Sequence, residues 1–246
     1  MRIRLVRSLT VCLGDQPLTA VAIGSRKART LLALAAVERG SRLSIDRIID
    51  VLWPATRPRH PVENVATLVS RLRSTLGSAA IVGGRTGYRL GDAVRIDLSE
   101  CAKLTAEAEA QLASGMAATA LAAAASAVEQ LAGEVLEDEP DAVWAAPARR
   151  THVELMRRAR RVSAEAALRV GAVHAARAVA EDAVAADALD EPAYRALMRA
   201  HAAAGEPVRA LAAYQRLRTT LADELGVDPA PVTRDLYVAI LRHRAR

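Results

Sequence analysis

The sequence predicts a mainly α-helical chain in two parts: a small α+β domain over residues 1–96 and an all-α helical-repeat domain over 97–246. Three observations carry that expectation. Strand-like alternation with glycine turns is confined to the first part. Charge divides at the same place: residues 1–96 hold 16 Lys and Arg against 6 Asp and Glu, whereas 97–246 hold 18 against 22. Beyond residue 97 long Ala-rich helical periods take over, and two glycines that break them, Gly171 and Gly205, lie 34 residues apart. That period belongs to arrays of two-helix repeats.

The composition supports this division. A chain of 246 residues has room for one large domain or two small ones. Its hydrophobic fraction of 52% and charged fraction of 25% fit a globular protein with a real core. Aromatic residues make up only 2% and Phe is absent, so that core is built from Leu, Val, Ile and much Ala, which suits packed helices. Cys12 and Cys101 supply neither a disulfide framework nor a metal spacing, which points to a reducing compartment. The amino-terminal stretch lacks the apolar core of a signal peptide, and the Ala-rich run 116–128 is too short to span a bilayer. The expectation is a cytoplasmic protein with no membrane partner. A first part of net charge +10 joined to a second of −4 suggests a nucleic-acid-binding module fused to something else. A basic surface that serves solubility or membrane contact is the alternative.

Residues 2–6, 9–13 and 18–23 read as short strands, with a turn at 14–17. Ser25 caps a helix from Arg26 to about Glu38, stopped by Gly40. Arg26, Lys27 and Arg29 crowd its first turn, against the helix dipole. That local cost fits a demand for positive charge, such as phosphate contact; poorly optimised surface charge explains it equally. Ser44 caps a second helix, 45–53, which Pro54 ends. The connection 54–59, with Arg57 and Arg59, leads through His60 into a third helix, 61–76.

This third helix carries the candidate chemistry. Val65, Leu68, Val69, Leu72 and Leu76 form one apolar stripe. The opposite face bears Glu63, Thr67, Ser70, Arg71 and Ser74, flanked by Asn64 and Arg73. Short donors and arginines are the side chains that read base edges and clamp phosphates. Pro61 suits the first helical position, and Glu63 the positive end of the dipole. Taken alone, the pattern also describes an ordinary amphipathic surface helix. Gly77 then caps the helix, and 79–82, the glycine-rich 83–87, 88–90 and 94–96 read as a hairpin with a third short strand. Arg85 and Arg89 lie at or beside its tip. Strands, helices and an arginine-bearing hairpin in this order are what a winged helix requires, with the helix in the major groove and the hairpin along the backbone or minor groove.

At these residues the chain resembles a known family. Gly24-x-x-Lys27-x-Arg29-x-Leu31-Leu32, the run 43–54, the run 69–77 and Gly87-Tyr88-Arg89-Leu90 are similar to the OmpR-type winged helix-turn-helix domain of SARP/AfsR transcriptional regulators. The resemblance implies a four-stranded amino-terminal sheet, three helices, a wing, and a transactivation loop at 54–60. Family members often have Asn where Glu63 stands and Gln where Ala66 stands, so the preferred DNA sequence of this chain is expected to differ.

The second part reads as helices near 98–114, 116–132, 141–170, 172–188, 191–204, 206–224 and 230–244. Gly171 with Ala176 and Ala183, and Gly205 with Ala210 and Tyr214, repeat one pattern, which Gly115, Ala120 and Ala127 echo. Small residues there let paired helices approach and share a core. Residues 195–231 and 236–242 resemble the bacterial transcriptional activator domain that follows the winged helix in SARP regulators.

Nothing in the sequence demands catalysis. His60, His152, His174, His201 and His243 are scattered without metal spacing, and no phosphate-cradling or nucleophile motif occurs. The expectation is a non-enzymatic regulator without cofactor or metal. Its candidate DNA-contacting residues are Arg26, Lys27, Arg29, Arg57, Arg59, His60, Asn64, Thr67, Ser70, Arg71, Arg73, Ser74, Arg85 and Arg89. The resemblance further implies promoter direct repeats bound by side-by-side protomers, recruitment of RNA polymerase holoenzyme through its sigma factor, and control of secondary-metabolite (antibiotic) genes. The rival reading is a tetratricopeptide-type adaptor that binds protein and carries an incidental basic domain.

Overall fold

The computed structural model describes residues 1–38 and 41–244. Gly40, the expected stop of the first long helix, and the His243 side chain lie outside the described residues. The chain is mainly helical and divides into two compact units, Met1–Ala102 with Gln130–Val153, and Lys103–Glu129 with Glu154–Arg246. No described helix is long and apolar enough to cross a membrane.

In the first unit, β1 (Arg2–Arg4) pairs antiparallel with β2 (Thr10–Leu13), which pairs with β3 (Gln16–Pro17). The expected strand 18–23 is instead a single helical turn, α1 (Ala20–Ile23). Thr19 decides this: its hydroxyl accepts from the Ala22 N–H at 3.2 Å, an N-cap that alternation alone does not reveal. The expected turn at 14–17 is shorter too, because Gln16 and Pro17 already belong to β3.

Next come α2 (Arg26–Val37), α3 (Ile45–Leu52) and α4 (Pro61–Leu76). Ser25 and Ser44 cap the first two through Ala28 and Arg47 N–H groups at 3.3 and 3.1 Å. The three helices pack on one another, and Leu31, Leu32, Leu34, Ile48, Val69 and Leu72 on them are buried. Strands β4 (Ile81–Gly84) and β5 (Gly87–Leu90) form the hairpin, and β5 meets α2 while β4 meets α4. The third short strand expected after the hairpin is present as β6 (Arg95–Ile96); it pairs in parallel with β1 and completes the order β3-β2-β1-β6. The ladder to β1 satisfies backbone groups that the hairpin does not reach.

Residues 130–153 belong to the same unit. Leu136 N–H donates to the Leu5 carbonyl at 2.8 Å and Glu137 N–H to the Arg7 carbonyl at 3.1 Å, extending the pairing beyond β1. Arg149 fixes this segment by donating to the carbonyls of Glu139, Val135 and Ala142 at 2.6, 3.3 and 3.3 Å. Burial pushes the Cys101 thiol up to about 11, which leaves it protonated and unreactive at neutral pH.

The helices α5 (Asp97–Ala113), α6 (Ala117–Gln130), α7 (Ala146–Arg169), α8 (Val173–Ala186), α9 (Glu191–Ala203), α10 (Pro207–Leu225) and α11 (Pro231–Arg244) follow. In the second unit a repeated corner organises them. Gly115, Gly171 and Gly205 adopt φ of +84°, +76° and +73°. Behind each, the next N–H reaches back five residues: Met116 to Gln111, Ala172 to Ala167 and Glu206 to His201, at 2.9, 2.8 and 2.9 Å. This left-handed cap closes one helix and launches the next. Five residues after each glycine stands an alanine with 0% exposure: Ala120, Ala176 and Ala210. Such small residues let neighbouring helices approach closely. Around Ala210, the side chains of Tyr194, Leu197, Met198, Tyr214, Leu217 and Leu221 build a core against which Tyr237 of α11 also packs, its ring stacked on Tyr214 at 4.1 Å.

Candidate nucleic-acid interface

The candidate surface is built on α4 in the first unit. Val65, Val69, Leu72 and Leu76 are buried and Leu68 is half-buried, so the apolar stripe fixes the rotation of the helix. Glu63, Asn64, Thr67, Ser70, Arg71 and Ser74 are therefore exposed, as is His60 just before the helix. The Thr67 hydroxyl donates to the Glu63 carbonyl at 2.9 Å and the Ser74 hydroxyl to the Ser70 carbonyl at 3.1 Å. Their oxygens keep lone pairs that face outward as acceptors. Arg71 takes part in no hydrogen bond or ion pair found among the described residues, and the same holds for Arg59 and Arg85.

Arg73 has a different setting from Arg71, two residues away. It donates to the carbonyls of Ile81 and Gly83 at 2.8 and 3.0 Å, with its guanidinium 5.7 Å from the Tyr88 ring centroid. It therefore ties the end of α4 to β4 and holds helix and hairpin in register. Arg85 and Thr86 form the two-residue hairpin turn. Arg42 donates to the Thr86 hydroxyl at 2.6 Å, adding a second guanidinium at the tip. Sequence reasoning passed over Arg42 because its neighbour Leu43 reaches the hairpin by a long-range bridge. Leu43 and Tyr88 exchange N–H···O bonds at 2.8 and 3.0 Å.

The remaining cations have protein partners. Arg89 binds Asp92 at 2.6 Å; this hydrogen bond raises the Arg89 pKa and lowers that of Asp92. Arg57 binds Asp50 at 2.5 Å. At the start of α2, Arg26 binds Glu139 at 3.1 Å, and that contact raises its pKa. Lys27 donates to the Leu52 carbonyl at 3.1 Å and lies 4.4 Å from the Trp53 ring centroid. Arg29 donates to the Gly24 and Ala20 carbonyls at 2.7 and 3.3 Å. Positive charge at this helix start is thus offset by contacts that join α2 to α1, α3 and the 130–153 segment. Of the other histidines, His152 meets the Leu131 carbonyl at 2.7 Å and His201 the Glu206 carboxylate at 3.0 Å.

An exposed helical face of small acceptors beside a partnerless arginine, next to a cationic hairpin tip, can place hydrogen-bonding groups against base edges and guanidinium groups against phosphates. Comparison with known proteins places the chain among transcriptional regulators. Residues 96–241, more than half of the chain, match the family described as the bacterial transcriptional activator domain. The chain is 31% identical over 235 residues to the transcriptional regulatory protein EmbR of Mycobacterium tuberculosis, a match that takes in 92% of this chain and 60% of EmbR. It is 30% identical over 232 residues to the transcriptional regulatory protein MoaR1 of the same species, covering 91% of this chain and 75% of MoaR1. The regulatory protein AfsR of Streptomyces coelicolor is 30% identical over 227 residues, which are 90% of this chain and 22% of AfsR. A solved structure of M. tuberculosis EmbR in complex with a low-affinity phosphopeptide matches with a TM-score of 0.87 and 29% identity, over 98% of this chain and 65% of that one. The chain thus spans less than two thirds of the length of EmbR.

Proposed function

As the chain belongs to the SARP/AfsR family of transcriptional regulators, we propose that it is a sequence-specific DNA-binding activator of transcription. In this reading residues 1–96 act as an OmpR-type winged helix-turn-helix and 97–246 as a tetratricopeptide-like activator domain. The observation that carries it is the exposed polar face of α4 with its partnerless Arg71, held outward by the buried stripe Val65, Val69, Leu72 and Leu76.

Helix α4 enters the major groove. Asn64, Thr67, Ser70, Arg71 and Ser74 contact bases or groove walls, with His60 at the leading end. Arg59 and Arg85 bind phosphate directly. Arg26, Arg57 and Arg89 do so by exchanging their carboxylates for phosphate, and Arg57 and Arg59 also suit contact with polymerase. Lys27, Arg29 and Arg73 hold the domain in shape for binding. The family resemblance supports promoter direct repeats occupied by side-by-side protomers, recruitment of RNA polymerase holoenzyme through sigma, and control of secondary-metabolite genes. The protein works in the cytoplasm, without catalysis, cofactor or metal.

Two measurements test this. Affinity for a promoter duplex should fall by roughly 10³-fold between 50 and 200 mM salt if about six phosphates are neutralised. A salt-insensitive or absent interaction overturns the reading in favour of a protein-binding adaptor. Arg71→Ala should reduce discrimination between cognate and random duplex by about 1–3 kcal/mol, the range for a bidentate contact to guanine. An equal loss on both duplexes would move Arg71 to the phosphate class.

A further inference from the structure

The second unit contains a groove to which the DNA-binding reading gives no role. Helices α7 and α9 supply Arg161, Arg169, Arg195 and Arg199 to its lining, with Glu165 between them and Glu109 from α5 at one side. The sequence places Arg161, Glu165 and Arg169 four residues apart, and Arg195 and Arg199 likewise, so each helix turns one charged face to the groove. The volume is about 670 Å³, within the range of sites that enclose small organic ligands. Val162, Pro192 and Ala196 add apolar lining.

The lining holds four arginines against two glutamates. Glu165 is shared by two arginines, accepting from Arg169 Nε at 3.3 Å and Arg199 Nη1 at 3.0 Å. Glu109 is held in a fork by Arg158, at 2.9 and 2.5 Å, which leaves Arg161 at 3.9 Å from its nearer oxygen. Arg195 is half-buried and donates to the neutral Thr233 hydroxyl at 3.0 Å, with no carboxylate within 4.0 Å among the described residues. The Thr233 hydroxyl in turn donates to the Glu191 carboxylate at 2.6 Å. The Arg195 guanidinium lies below the ordinary arginine range, first through burial; the charges of Glu191 and Asp190 oppose that shift, and those of Arg199 and Arg161 add to it. A half-buried guanidinium keeps several N–H donors directed at whatever fills the space beside it. A carboxylate or a phosphate accepts such donors in pairs, and its charge reduces the repulsion among the arginines.

We infer that this groove is a binding site for an organic oxyanion of small-molecule size, a phosphate or carboxylate held by Arg195, Arg199 and Arg161 with its apolar part against Val162 and Ala196. The site is separate in sequence from the candidate DNA contacts, so the two readings fail independently. The test is isothermal titration calorimetry of the full chain with pyrophosphate and, separately, with citrate, at an ionic strength held constant with sodium chloride. The expected result is saturable binding of at least one probe, weakened at least tenfold in Arg195→Gln/Arg199→Gln and unchanged in Arg71→Ala. The two probes separate a phosphate site from a carboxylate site. Should the double variant lose its helical circular dichroism, Arg195→Lys and Arg199→Lys keep the charge and remove the fork; weakening in either supports the site. Absence of saturable binding for both probes overturns the inference. So does unchanged affinity in the folded glutamine or lysine variants, or loss of binding in Arg71→Ala, which would put the anion on the DNA-contacting face.

Discussion

Asp97 shows how one side chain can secure a junction in the chain. Only 2% exposed, its carboxylate accepts from the N–H groups of Leu5 and Val6 at 2.8 and 2.9 Å and from Leu98 at 2.8 Å. It caps the end of β1 and the start of α5 at once. Asp97→Ala leaves three buried donors without an acceptor, and each such loss is worth about 1–3 kcal/mol. The expected outcome is a loss of at least about 3 kcal/mol in urea-unfolding free energy; a change below 1 kcal/mol would show that water or a neighbour replaces the carboxylate. Residue identity is equally decisive on α4. Arg71 and Arg73 look alike in the sequence, yet Arg73 is bound to two hairpin carbonyls and Arg71 is without partner. Only the contacts made by each guanidinium separate an exposed, partnerless arginine from a brace.

Among the elements, the hairpin is tightly constrained at its glycines. Gly87 sits at φ +130°, and a Cβ there would lie 2.1 Å from the Leu43 carbonyl oxygen. That oxygen accepts the bridge from Tyr88, so it cannot retreat without loss of the hydrogen bond. Gly87→Ala combines steric overlap with a strained φ, which alone costs about 1–3 kcal/mol. The variant should unfold at lower urea and lose duplex affinity together, because the Arg85 turn and the Arg73 brace depend on the same register. A variant with normal stability and normal binding would contradict that coupling. The composition and order of the elements were legible because caps and periodicity are local: Ser25, Ser44 and Pro61 stand where the helices begin, and the helix stops fall at Gly115, Gly171 and Gly205. The misread piece, 18–23, and the strand left without a named partner, 94–96, are short. A run of four to six residues carries too little period to separate a capped turn from a strand, or to name a strand's partner.

For the whole molecule, stability is tied to ion pairs as well as to the alanine-rich core. The hydrogen bond from Arg158 holds the Glu109 carboxyl below the ordinary glutamate range. A carboxylate whose folded pKa is depressed stabilises the fold fully above its unfolded value, and that contribution disappears as pH falls through the folded value. Glu109→Gln should therefore be less stable than the wild type near neutrality, with the difference shrinking as pH drops through and below the ordinary glutamate range of about 4.3. Unfolding free energies from pH 7 to pH 3 check this; a difference that stays constant to pH 3 would assign the effect of the substitution to packing.

The sequence by itself determined the helical character, the apolar stripe of α4, the repeated glycine corners and the concentration of positive charge in residues 1–96, since all of these depend on neighbours within a few turns. Tertiary structure decided which charges are available. Arg26 meets Glu139 from 113 positions away, Arg42 meets Thr86 from 44, and Arg199 meets Glu165 from 34. A guanidinium binds whatever acceptor the fold brings within about 3 Å, and that acceptor's identity is not encoded near the arginine in the chain. The candidate site was therefore readable as a list of residue types, and the division of that list into free and occupied members came from the folded contacts, some near in sequence, as Arg89 with Asp92, and some distant, as Arg26 with Glu139.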